Sequence, residues 1–276
     1  MVITEDFVYI HLPKTGGTFV ARVLRRLLND IGAWYLDTSR GDHRAILGTQ
    51  GKHQSVREIP PEHRGKPVLF TIRDPYDWYV SQYEFAWWKV EPKSEFDDQA
   101  IRSRYGSYPD LTFAEFVAAV NDWRLWPVSD RDRAAPIEQA GEIGLYTSMF
   151  VRALTLSSGH AFAAAQQDGS SGLAAALYPR IDFLRTDRLN QELHHSLVRL
   201  GFPPAEIGFV IDAEPIGRRG SGAPLAPGEQ ARNTAIDSEG GHDPAIASQE
   251  YYDQPLKTFI REREHMLFEL FPDFDA

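Results

Sequence analysis

The sequence predicts an α/β fold of three layers, a central parallel sheet flanked by helices, and three observations predict it. Apolar, β-rich runs alternate with amphipathic helical stretches, the order expected of βαβ units. Two of those runs, Phe7 to Leu12 (FVYIHL) and Val68 to Ile72 (VLFTI), are apolar almost throughout, as strands buried on both faces are. No internal repeat and no interior linker interrupts the 276 residues, so a single domain over residues 1–276 is expected.

The first strand stops at Pro13, and Pro13 to Thr18 (PKTGGT) is a tight glycine-containing loop. Val20, Val23, Leu24, Leu27, Leu28 and Ile31 then recur at helical spacing, with Arg22, Arg25 and Arg26 on the other face and Gly32 as the stop. The strand at Val68 to Ile72 ends at Arg73-Asp74-Pro75, and a helix is expected over Trp78 to Trp88 with Asp77 as its cap. Leu111 to Val120 carries Thr112 and Glu115 in the S/T-x-x-E order of a capping box. Helices are expected at Gly144 to Leu156, Gly172 to Leu177 and Leu189 to Leu200, a third strand at Arg180 to Arg185, and a last helix from Pro255 to Leu270. Residues 213–246 are rich in Gly, Pro, Ser and charge and poor in large apolar side chains, which predicts a long mobile loop.

Composition narrows the function. Hydrophobic residues at 42% and charged residues at 25% are the balance of a soluble globular chain. A net charge of -10 argues against a nucleic-acid partner, because such affinity comes from basic residues set against phosphates. With no cysteine there is no disulfide, thiolate metal site or thiol nucleophile. The opening MVITEDFVYIHL lacks the basic start and apolar stretch of a signal peptide, and no window reaches the length of a membrane span. A cytoplasmic protein without an integral membrane segment is the expectation.

The chemistry concentrates in His11 to Phe19, HLPKTGGTF. A strand feeding a glycine loop and then a helix gathers backbone N–H groups that lack intrahelical partners, and the helix dipole adds positive potential. Gly16 and Gly17 allow close backbone approach, Lys14 adds a cation, and Thr15 and Thr18 add hydroxyls. An ordinary βα turn would need the glycines but not the lysine and both threonines. The order is not that of a Walker A loop, in which lysine follows the glycines, and no G-x-G-x-x-G signature is present.

The order P-K-T-G-G-T instead resembles the 5′-phosphosulfate loop of sulfotransferases that use 3′-phosphoadenosine-5′-phosphosulfate (PAPS), above all their carbohydrate-type, glycan O-sulfotransferase-like branch. Phe19 departs from that pattern, standing where a serine is common. Thr71 to Tyr83, TIRDPYDWYVSQY, is similar to the family's 3′-phosphate motif. There an arginine at a strand end and a serine about two helical turns later hold the phosphate, and Arg73 and Ser81 match those positions. Trp78 stands where a basic residue is common. An arginine suits the task because its planar fork pairs two phosphate oxygens at once. On its own, Arg73 would read as a salt-bridged arginine at a strand end.

The resemblance implies a P-loop-like fold and an in-line, metal-independent transfer of a sulfuryl group from PAPS to a hydroxyl, or secondarily an amine. The product would be 3′-phosphoadenosine-5′-phosphate (PAP). Nucleotide contacts would come from Lys14, Thr15, Gly16, Gly17, Thr18, Phe19, Arg73 and Ser81, with Lys14 also neutralising the leaving phosphate oxygen. Arg218, Arg219 and Gly220 lie in the late loop, where family members often place a basic segment over the nucleotide; a solvated loop is the plainer account. A hydroxyl acceptor also needs a general base, and histidine suits neutral pH. His53, in GKHQSVREIP just upstream of the second phosphate strand, matches the place of a catalytic histidine in similar glycan 2-O-sulfotransferases, although Lys52 interrupts the match. His43 and Glu58 are alternatives, and a surface role is the competing reading of His53.

Two other classes share a strand–loop–helix phosphate site: a P-loop-type phosphotransferase or kinase, and a non-catalytic nucleotide-binding protein. The first needs a Walker-type order and a magnesium-binding carboxylate at a strand end. The aromatic residues Tyr83, Phe85, Trp87, Trp88, Trp123 and Trp126 suit either an acceptor pocket or core packing. The resemblance fades between residues 91 and 180, which leaves a small-molecule, lipid or glycan acceptor open, and oligomeric state is not legible.

Overall fold

The computed structural model describes residues 1–31, 53–90, 96–126, 143–214 and 248–275. The chain opens with a two-residue strand, β1 (Val2–Ile3), then β2 (Val8–His11). Helix α1 (Gly17–Ile31) starts on the second glycine of the loop, and β3 is Val68–Ile72, as its apolar run predicts.

Helix α2 (Pro75–Phe85) begins three residues earlier than expected. Its cap is Asp74, whose carboxylate accepts from the Asp77 N–H at 3.1 Å, and Pro75 occupies the first turn, where its missing N–H costs nothing. Asp77 is therefore the group capped, not the cap. Ala86 takes a left-handed conformation (φ 51°) that ends α2, so Trp87–Val90 forms a separate short helix, α3. Then come α4 (Asp98–Arg104) and α5 (Phe113–Val120), the latter closed by the predicted capping box between Thr112 and Glu115.

Helix α6 is Leu145–Leu154, and α7 is Ser158–Ala176, broken at Asp168 and Gly169. The sequence reading caught only the end of α7, because its Ala-, Gly- and Ser-rich face has little amphipathic pattern. Strand β4 (Ile181–Arg185) and α8 (Leu189–Arg199) fall where expected, followed by α9 (Pro204–Ile207). The last expected helix is two, α10 (Gln254–Arg263) and α11 (His265–Leu270), separated at the buried Glu264. Nearly all of the expected loop 213–246 lies outside the described residues.

The sheet order is β1-β2-β3-β4. Strands β2, β3 and β4 are parallel, with Val8 opposite Val68 and Val68 opposite Ile181, while β1 adds a short antiparallel edge that the sequence reading did not anticipate. The architecture is thus mixed α/β with a mostly parallel central sheet flanked by helices. Among the described residues no helix is long and apolar enough to cross a membrane.

The chain forms two compact units, each assembled from separate stretches: Met1–Arg73 with Tyr178–Ile246, and Asp74–Leu177 with Ala247–Ala276. The first holds the whole sheet. Tyr9, Leu69 and Leu184 point from one sheet face into a core shared with Val20, Val23, Leu24 and Leu27 of α1 and Leu193 and Leu197 of α8. Each such side chain stabilises the unit by about 1.5–3 kcal/mol on burial. The second unit is rich in rings: Trp78 stacks on Tyr146 at 4.5 Å and 4°, and Trp88 on Phe116 at 4.4 Å and 22°. Trp88 is fully buried, so packing accounts for its place in the aromatic group.

Candidate functional site

Parallel pairing of β2, β3 and β4 brings their C-terminal ends side by side, the position at which open α/β sheets bind ligands. The loop from Leu12 to Gly16 leaves the end of β2 and is tied to each of these ends. The Thr15 hydroxyl donates to the Leu12 carbonyl at 2.8 Å and sits 2.8 Å from the Thr71 hydroxyl, which therefore donates to it. Tyr9 continues the chain at 3.5 Å from Thr71. Thr186, just past β4, places its hydroxyl 2.8 Å from the Ile72 carbonyl and 3.1 Å from that of Thr15. Thr15 is fully buried, so its hydroxyl anchors the loop and is committed inside the fold.

Lys14 sits in this loop with φ 65°, left-handed backbone that a lysine adopts only at a cost of about 1–3 kcal/mol. It is buried to 7% exposure, and its carbonyl accepts from Nη1 of Arg73 at 3.4 Å. Arg73, the first residue past β3, is half-buried and thereby reaches the loop. Gly16 also has positive φ (87°), and a Cβ there would come within 2.7 Å of Leu189. At Gly17 a Cβ would run into the imidazole of His11, which is buried at the end of β2. The two glycines are thus required for different reasons, backbone conformation at the first and close approach at the second.

Helix α1 follows at once. Its first intrahelical bond runs from Val20 N–H to the Gly16 carbonyl at 3.3 Å, so the N–H groups before it belong to a helix start, with its positive dipole end. Thr18 is half-buried on this first turn. The Phe19 side chain is a core residue at 6% exposure, which leaves its main chain as the part available to a ligand.

His53 joins this constellation from far away in sequence. Its ring stands edge-on to His11, with centroids 4.9 Å apart at 77°, and its Nδ1 lies 3.4 Å from the His11 carbonyl. His11 in turn stacks on Tyr9 at 5.5 Å. His53 is exposed while His11 is buried, so the pair runs from solvent to the base of the loop. Glu58 instead closes a capping box on the short 3-10 turn Val56–Glu58, accepting from the Ser55 hydroxyl at 2.7 Å.

Ser81 belongs to the second unit, buried at 3% exposure on α2. Arg218, Arg219, Gly220 and His43 lie outside the described residues. Sequence reasoning missed Thr71 and Thr186, which fasten the loop. A threonine near or just past each of two neighbouring strand ends was the available signal.

In the second unit, Glu264 is fully buried and accepts from four donors: the Tyr79 hydroxyl (2.5 Å), the Thr147 hydroxyl (2.6 Å), and the N–H groups of Tyr146 (3.1 Å) and Thr147 (2.7 Å). Burial pushes its carboxyl above the ordinary value, against the pull of the Thr147 and Tyr79 hydrogen bonds. Gly144 has no Cβ because one would strike this carboxylate.

No family model and no curated protein matches the chain. Among solved structures it is similar to mouse sulfotransferase SULT7A1 complexed with PAP, at 12% sequence identity and a TM-score of 0.45, over 96% of this chain and 84% of that one.

Proposed function

We propose that this chain is a PAPS-dependent sulfotransferase acting on a hydroxyl acceptor, a reading that belongs with the glycan-type branch its two motifs resemble. One observation carries it: a P-K-T-G-G-T loop, fastened to three parallel strand ends, holds Lys14 in left-handed backbone and opens directly into α1. The donor set suits a phosphosulfate. The start of α1 supplies N–H groups, and Lys14 and Arg73 supply cations.

PAPS supplies the sulfuryl group. The acceptor oxygen bonds to sulfur as the bond from sulfur to the bridging phosphate oxygen breaks, and PAP leaves. Lys14 neutralises the charge that develops on that phosphate oxygen, which is stabilisation present mainly in the transition state. His53 takes the acceptor proton. A hydrogen bond from its Nδ1–H to the His11 carbonyl leaves Nε2 as the accepting nitrogen. Arg73 and Ser81 hold the 3′-phosphate, an assignment that rests on the sequence pattern. Arg218 to Gly220 keep their role over the nucleotide on the same basis.

Calorimetric titration with PAP and with ADP tests the donor class. Wild type binds PAP and prefers it to ADP. Arg73→Ala and Lys14→Ala each weaken PAP by tenfold or more, roughly the loss of one or two hydrogen bonds to a charged group. Acceptors are then screened with labelled PAPS. Absence of PAP binding, or equal binding of ADP with magnesium, rejects the proposal in favour of a phosphotransferase.

A further inference from the structure

In the unit formed by Asp74–Leu177 and Ala247–Ala276, an open cavity of about 260 Å³ lies where α4, α5 and α10 end. Arg104, Arg124 and Arg263 line it, and Tyr105, Trp123 and Phe259 form aromatic walls. The acid among its lining residues is Asp122, which pairs with Arg124 through two bonds of 2.7 and 3.0 Å. Burial alone would raise the Asp122 carboxyl, yet those bonds, with Arg104 nearby, hold it below the ordinary carboxylate value. Asp122 is therefore ionised and offsets one guanidinium, and two positive charges remain. Arg263 is laid over the Phe259 ring, 5.3 Å from its centroid.

Arginine in the last turn of a helix has an ordinary use, since it meets the negative end of the helix dipole. That use explains Arg104 and Arg263 on their own helices but requires no aromatic-walled space between them. Nor do the helix ends cancel the arginines: at about half a charge per end, falling off within the last turn, they amount to less than two full charges. In a chain of net charge -10, a cationic cavity is a local departure from the overall sign.

We infer that this cavity binds a small aromatic carboxylate, with the ring among Tyr105, Trp123 and Phe259 and the carboxylate on Arg104 and Arg263. At about 260 Å³ it lies just below the roughly 300–1,000 Å³ of pockets that bury drug-sized ligands, which suits a ligand of one ring and one acid group. The inference stands apart from sulfuryl transfer, because the binding is measured with no nucleotide present.

The test is calorimetry at low salt with 4-hydroxybenzoate, phenol and sodium sulfate as probes, on wild type, Arg104→Gln and Trp123→Leu, with a melting curve for each protein. Wild type binds 4-hydroxybenzoate at least about tenfold more tightly than phenol or sulfate, as expected when ring and charge are both recognised. Each substitution weakens that binding by about tenfold, and Arg104→Gln, at an exposed position, leaves the melting temperature unchanged. The inference is overturned if 4-hydroxybenzoate gives no binding heat, or if sulfate binds as well as the aromatic acid. It is equally overturned if the substitutions change the melting temperature and leave affinity unaltered, since the arginines would then serve only the helix ends.

Discussion

The imidazole of His11 fills the space that a Cβ on Gly17 would occupy. The last residue of β2 and the first of α1 are in this way locked together, and the lock sets how close the start of the helix lies to the strand end.

Gly17→Ala should therefore push α1 away from His11, at the 1–3 kcal/mol typical of overpacking (about that range). PAP titration should show a loss of at least about tenfold, because the helix-start N–H groups move with the backbone. His11→Ala in the same chain removes the obstructing ring, so the double variant should recover part of the affinity. A double-mutant cycle with no coupling between the two positions would dismiss the contact as the cause.

His53 stands edge-on to His11 at the end of β2, and its proposed role is confined to the acceptor proton. Against any hydroxyl acceptor found in the screen, His53→Ala should lower kcat by about 10²–10⁴ while PAP affinity stays at the wild-type value. The pH–rate profile should also lose its acidic limb, since the wild-type base must be unprotonated to act. An unchanged profile would assign His53 to the surface and move the search for the base elsewhere.

Glu264 makes a separate prediction about stability. Burial raises its carboxyl in the folded state above the ordinary value of 4.5, so the native protein holds that proton more tightly than the unfolded chain does. The contribution is complete below pH 4.5 and is lost as pH rises through the folded value. Urea unfolding across about pH 4 to 7 should show wild type losing stability relative to Glu264→Gln as pH increases. Glu264→Ala should be the worst at every pH, at about 1–3 kcal/mol for each donor left unsatisfied, because it strands the hydroxyls and N–H groups that now converge on the carboxylate. A pH-independent gap between wild type and Glu264→Gln would show that burial does not raise this carboxyl.

What could be read before folding was whatever depends on neighbours within a few residues. The apolar run Val68 to Ile72 needs only its own composition to be a buried strand, and Thr112 needs only Glu115, three residues on, to close a capping box. Errors arose where a second local solution competed. Asp74 and Asp77 can both cap a helix, and Pro75, favourable in the first turn, decides for Asp74. The final periodic stretch reads as one helix until Glu264 is required to meet Tyr146 and Thr147 about 118 residues away, where the backbone breaks.

The sequence by itself determined the parallel α/β plan and the glycine loop with its lysine, because strand composition, helical spacing and glycine tolerance are properties of short segments. Tertiary structure alone decided that Thr71 and Thr186 fasten the loop, that the Thr15 hydroxyl turns inward, and that His53 comes to rest against His11. It alone assembled three arginines from three separate segments around one aromatic cavity. Those arrangements join residues some 20 to 170 positions apart, for which local propensity carries no signal and only the closing of the core selects a partner.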